Sequence, residues 1–283
     1  MSKIIILAES GSDVTKEMAE KYNIEVVPMH VSFDDYTLDD GHFEPEKIVE
    51  FYQTTGKLPK TSGCMPDDFI PYFDRIHEEN PDSKILYLAY SAVTTRSYQS
   101  AVIATEDRDY IHMIDTKHVS VGQGLIVVAV AKYVQENPDA SIEEVIAYAE
   151  KMCEKARMCF MPDDLEFLRA GGRVSNVAFL GARILSLHPC IEVLDGKLVA
   201  TKKFRGKMTK ASAELIREYA DKYDLDRKEI YIIYTVGLSD EVKKVIEDTV
   251  KECGFESCEW VLAHGVITTH GGPAAFGIAG FAR

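Results

Sequence analysis

The chain has 283 residues, 46% of them hydrophobic and 28% charged, enough apolar material for one large or two modest cores, and two domains are expected. Its 32 Lys and Arg against 46 Asp and Glu leave a net charge of −14, which repels polyphosphate backbones and excludes nucleic acid as an expected partner. Six cysteines with no C-x-x-C pair suggest neither a disulfide framework nor a zinc site.

Residues Lys3 to Ala8 form a short apolar run that reads as a buried strand. It is too short for a signal-peptide core or a bilayer span, so a cytoplasmic location is expected. The run breaks at Glu9-Ser10-Gly11-Ser12-Asp13, a loop of helix-capping residue types, and a helix is expected to follow through Tyr22. Glu25 to Val31 reads as a second strand. A helix follows Pro45, and Pro66-Asp67-Asp68 marks another helix start, with the Thr61-Ser62 loop between them. Ile85 to Ala89 and Ile111 to Asp115 are further buried strands, each followed by a small-residue loop and a helix, Ser97 to Ala104 and Val121 to Val134. This alternation predicts an α/β fold with a mostly parallel N-terminal sheet flanked by helices.

A helical pattern runs from Ser141 to Arg157, after which the pattern changes, and the boundary is placed near Pro162. Residues 1–161 and 162–283 are the two expected domains. In the second, short helices are expected over Asp163 to Ala170 and Asn176 to Leu187. Asp195-Gly196 between two apolar runs is a strong hairpin signal. A helix from Met208 to Tyr223, a strand at Ile230 to Thr235, a helix from Asp240 to Cys253 and a strand near Glu259 to Leu262 make this a C-terminal α/β domain with a β-hairpin. Ala274 to Phe281 has almost no polar face and reads as a buried helix.

No G-x-G-x-x-G, P-loop, G-x-S-x-G or H-E-x-x-H motif is present, so the common dinucleotide, nucleotide and hydrolase signatures are missing. Four hydroxyl-rich or Gly-rich loops remain, at Glu9 to Asp13, Thr61 to Gly63, Ser91 to Ser97 and Thr268 to Pro273, where they would line the mouth of an open α/β sheet. Each is equally a cap or a turn taken alone. His270 between Thr269 and two glycines either donates to a carboxylate or caps the chain. Charge is segregated: residues 167 to 213 carry nine basic and two acidic side chains, a net +7, which leaves −21 for the rest. Such a face suits phosphate groups or an acidic partner surface, or is simply solvated.

Taken in order, Glu9-Ser10-Gly11-Ser12-Asp13, Val27-Pro28-Met29-His30-Val31, Lys60-Thr61-Ser62, Tyr98-Gln99-Ser100-Ala101, Ser120-Val121-Gly122-Gln123-Gly124, Leu168 to Ser175, Lys203-Phe204-Arg205-Gly206 and His270-Gly271-Gly272-Pro273 resemble the DegV family of bacterial fatty-acid-binding proteins, nearly end to end. The resemblance implies a carrier with no catalytic step and no cofactor or metal. It would hold a long-chain fatty acid in an internal tunnel and present the carboxylate to a fatty acid kinase for acyl-phosphate formation, as part of phospholipid synthesis, with transient membrane contact. It assigns fatty acid binding to Thr61, Ser62, Ser91 and His270, and kinase contact to Arg173 and Arg205, both within the basic segment. The chain differs from the family's usual pattern at Ser91 to Ser97, where both glycines are absent, and at Glu9, where Asp is usual. Two alternatives stand beside it: a carrier of another anionic amphiphile, and a hydrolase or acyltransferase with Ser91 as nucleophile and His270 as base.

Overall fold

The computed structural model describes residues 4–172 and 187–283. The fold is mixed α/β. A four-stranded parallel sheet, in the order β2-β1-β6-β7, is built from β1 (Ile4–Glu9), β2 (Ile24–Val27), β6 (Lys84–Ala89) and β7 (Ile111–Asp115). Every residue of β1 is buried, as expected for a central parallel strand covered on both faces. The helix α1 (Lys16–Tyr22) starts where the Thr15 hydroxyl accepts from Met18 N at 3.2 Å and leads into β2. Pro28 then ends the pairing with β1. The single strand expected over Glu25 to Val31 is therefore two, β2 and β3 (His30–Ser32), which belong to different sheets.

β3 is the centre of a small antiparallel sheet, β4-β3-β5, with β4 (Thr37–Asp39) and β5 (Lys60–Ser62). Thr61 and Ser62, expected in a loop, thus lie on a short strand, with Thr61 opposite Val31. The helix α2 (Glu46–Thr55) follows Pro45, and α3 (Pro66–Glu79) has Pro at its first position, with the Asp68 carboxylate accepting from Met65 N at 2.6 Å. α4 (Ser97–Ala104) follows the loop after β6.

The third sheet has six strands in the order β10-β9-β8-β13-β11-β12, all antiparallel neighbours except the parallel pair β11/β12. They are β8 (Ala156–Met161), β9 (Leu187–Leu194), β10 (Lys197–Arg205), β11 (Glu229–Tyr234), β12 (Ser257–Leu262) and β13 (Phe276–Phe281). The β9–β10 hairpin turns at Asp195 and Gly196, with φ of 48° and 78°, the left-handed pair that a two-residue turn requires. Two expectations fail here. The helix α6 (Ile142–Lys155) ends two residues before Arg157, and the chain goes straight into β8. Ala274 to Phe281 is not a helix, because Phe276–Phe281 is the strand β13 between β8 and β11. A strand buried on both faces has no polar side, so its sequence mimics a buried helix. A Cβ on Gly277 would sit 2.8 Å from Phe160 Cβ, so the strands close tightly there.

α5 (Ser120–Glu136) runs between the parallel sheet and the six-stranded sheet, and their shared core joins Ile6 and Leu88 to Met158, Ile233 and Ala279. Gly122 makes this possible, since a Cβ there would lie 2.9 Å from Met158 Cβ. The other face of the six-stranded sheet is covered by α8 (Met208–Lys222) and α9 (Asp240–Glu252). The remaining elements are α7 (Glu166–Gly171), closed by Gly172 at φ 63°, and α10 (Gly265–Gly271), where the sequence reading had a loop. The helix expected over Asn176 to Leu187 lies outside the described residues except Leu187, which opens β9. β8 precedes Pro162 in the chain and yet is an inner strand of the six-stranded sheet.

Candidate functional site

Alternation along the strands sorts the side chains of the six-stranded sheet. On β8, Cys159 and Met161 join the core under α8 and α9, while Met158 and Phe160 point the other way. There, with Leu168, Leu198, Ile233 and Phe276, they wall a cavity of about 820 Å³, open solvent at its mouth included. Val119 and Ser120 of the α5 start, Tyr90 after β6, and Val266 and Ile267 of α10 complete the wall. Most of the polar lining comes from Thr61, Ser62 and Gly63 at the end of β5, Thr94 and Thr95 from the loop before α4, and His270 in the last turn of α10, with Ser120 and Thr235 elsewhere in the lining.

Thr61 Oγ1 and His270 Nε2 are 2.8 Å apart. Three of the residues singled out from the sequence, Thr61, Ser62 and His270, thus line one largely apolar cavity. Two neighbours lack side chains for want of room. A Cβ on Gly171 would lie 2.9 Å from Cε1 of His270, and a Cβ on Gly63 would collide with the hydroxyls of Thr95 and Ser97.

Ser91 is not brought to this wall. It is fully buried, and its hydroxyl donates to the Gly196 carbonyl at 2.8 Å, tying the hairpin turn to the loop after β6. Lys117 adds an exposed ion pair to Asp195 at 3.0 Å. Thr94 and Thr95, three and four residues on, are the cavity hydroxyls that the sequence reading passed over in favour of Ser91. Arg205 is exposed at the end of β10, and Arg173 lies outside the described residues. Within the basic segment, Lys202 and Lys210 are paired with Glu218 and Glu214 of α8.

Buried carboxylates support the cavity from behind. Glu9 is fully buried and accepts from the Tyr87 hydroxyl, from Tyr90 N at 3.0 Å and from Gln123 Nε2 at 2.8 Å. Burial raises its pKa above the usual carboxylate value, against the pull of those hydrogen bonds. Asp13 accepts from Ser120 Oγ at 2.6 Å and from His264 N at 2.8 Å, and burial lifts its pKa to about 6, with His264 and Ser120 opposing. No cluster of three metal-binding side chains exists among the described residues. No described helix is long and apolar enough to cross a membrane.

Three sheets, a core shared through α5 and a largely apolar cavity with Thr61 and His270 in its lining define an α/β protein with a candidate ligand cavity. A profile of the DegV family, described as uncharacterised proteins, matches residues 3–283, and the chain belongs to that family. It is 31% identical to a fatty acid-binding protein of Thermotoga maritima over 288 residues, covering 97% of this chain and 96% of that one. Among solved structures it resembles a DegV family protein from Thermus thermophilus described by its fatty acid binding, at TM-score 0.88 and 25% identity over 99% of this chain and all of that one (100%). A Thermotoga maritima structure, said to reveal fatty acid binding function, superposes at TM-score 0.83 with 26% identity over 100% of both chains. These relatives are named for binding rather than for a reaction.

Proposed function

We propose that this protein binds a long-chain fatty acid in the cavity and, in the cytoplasm, presents its carboxylate to a soluble fatty acid kinase for acyl-phosphate formation. The observation that carries the reading is the Thr61–His270 pair on the polar wall of an apolar chamber. Burying each methylene contributes ~0.8 kcal/mol, so about fifteen give roughly 12 kcal/mol before the cost of association. A carboxylate entering such a setting needs charge-assisted hydrogen bonds to offset its lost hydration, and the hydroxyl and imidazole are donors that can turn to it. Ser62, Thr94 and Thr95 stand on the same wall, and Ser91 acts behind it by holding the hairpin. Arg205, exposed at the end of the basic segment, and Arg173 are the residues proposed to meet the kinase.

The reading is tested by mass spectrometry of an organic extract of the purified protein, together with thermal unfolding. A stoichiometric fatty acid and a higher Tm on adding the same acid are expected, since a native-state ligand stabilises by mass action. An extract without fatty acid, and no shift in Tm, overturn it. The hydrolase or acyltransferase reading requires Ser91 against His270, but the Ser91 hydroxyl is given to Gly196 and His270 meets Thr61 instead.

A further inference from the structure

The motif Glu9 to Asp13 and the residue Asp40 do not line the cavity, yet they converge on the helix that carries His270. α10 has only seven residues, too few to be held by helix propensity alone, and its first turn needs acceptors for its free N–H groups. Those acceptors are two carboxylates from distant parts of the chain, each only 1% exposed. Asp13 Oδ1 accepts from His264 N at 2.8 Å, and Asp40 Oδ1 accepts from Val266 N at 2.8 Å. Both carboxylates are fixed by a second donor, Ser120 Oγ on Asp13 at 2.6 Å and Ser10 Oγ on Asp40 at 2.7 Å. Ser10 Oγ accepts in turn from Met29 N at 2.9 Å. Gly265 permits the close approach, since a Cβ there would lie 2.9 Å from Phe43 Cε2 and 3.2 Å from Asp40 Oδ1.

The topology makes this a two-point attachment. Asp40 immediately follows β4, and Thr61 lies on β5 of the same three-stranded sheet. One small sheet therefore holds the start of α10 through Asp40 and meets its end through Thr61. A buried carboxylate is a costly cap compared with the usual Ser or Thr, and two on one short helix call for a reason beyond helix stability. We propose that Asp13 and Asp40 are positioning residues for carboxylate recognition: they fix α10 along its axis so that His270 Nε2 stays within reach of Thr61 Oγ1 and of the ligand head group. This rests on the fatty-acid reading above.

The experiment compares a saturated fatty acid with its methyl ester on wild type, Asp40→Ala, His270→Ala and the double variant, and records the His270 imidazole resonances of the ligand-free proteins. Tail burial is common to acid and ester, so only the acid reports the head-group contacts. Asp40→Ala is expected to lose roughly tenfold of the acid-over-ester preference, the scale of one charge-assisted hydrogen bond. The double variant should be no worse than His270→Ala, and Asp40→Asn, which keeps an oxygen on Val266 N–H, should restore most of the preference. In the ligand-free Asp40→Ala protein the His270 signals should move toward those of Thr61→Ala. Equal losses for acid and ester, or losses that multiply in the double variant, overturn the proposal. If wild type binds neither compound, the fatty-acid reading has failed, and unmoved His270 signals in Asp40→Ala would separately sink the clamp.

Discussion

Thr61 and His270 stand 209 residues apart in the chain and share a 2.8 Å hydrogen bond. Thr61 belongs to the three-stranded sheet and His270 to the helix after β12, so the bond joins two elements far apart in the sequence within the cavity lining. Thr61→Val and His270→Gln are each expected to weaken fatty acid binding about tenfold or more, because a hydrogen bond to a charged group is worth roughly 1.5–3 kcal/mol. Titration calorimetry checks the affinity, with Tm of the ligand-free variants as the control for folding.

The two glycines of the Gly171-Gly172 step should respond differently. Gly171→Ala pushes on the His270 ring and should lower ligand affinity more than it lowers stability. Gly172 has open space around it but a φ of 63°, so Gly172→Ala should cost about 1 kcal/mol of stability and leave affinity nearly unchanged. Chemical unfolding and ligand titration on the two variants separate these outcomes.

Two histidines should bend the pH profile of stability in opposite directions. His30 sits between Asp39 at 3.0 Å and Asp68 at 2.9 Å; burial alone would lower its pKa, but the two carboxylates outweigh it and raise it. Its contribution is full below the unfolded value near 6.5 and is lost as pH rises through the folded value. His118 is buried, and burial lowers its pKa to about 4. It therefore costs stability as pH falls from about 6.5 to 4, on the order of 3 kcal/mol at the end of that window. Urea unfolding between pH 4 and 8.5 should show His30→Gln flattening the alkaline slope and His118→Phe the acidic one. Superimposable profiles for variants and wild type would refute both assignments.

Arg205 is expected to matter to the kinase and not to the ligand. Arg205→Glu should leave fatty acid affinity within twofold while lowering acyl-phosphate formation by the kinase severalfold, more so at low salt, as a screened surface charge requires. Arg173→Ala should behave alike. Equal loss of binding and phosphorylation would remove the docking role.

Where local signals were strong, the sequence was legible. Ser97–Ala104, Ile111–Asp115 and the Asp195-Gly196 hairpin fall where the patterns put them. β5 was not legible because a three-residue strand exists only through its partner β3, which is distant in sequence. β8 follows α6 without a Gly or Pro to mark the change, and β13 reads as either element because both its faces are buried. The cavity followed the same rule. Thr61 and His270 were found through family resemblance, since nothing in their spacing says that they touch. Asp40 gave no signal and Asp13 only as the last residue of the Glu9 to Asp13 loop, because a carboxylate that caps a helix from another part of the chain looks like an ordinary loop residue.

The placement of β8 bears on how the protein can be cut. Severing the backbone before Pro162 would leave the second half without the strand that links the β9–β10 hairpin to β13, with two raw sheet edges facing solvent. Such halves should be insoluble when made separately and recoverable only by complementation, when both are produced in one cell.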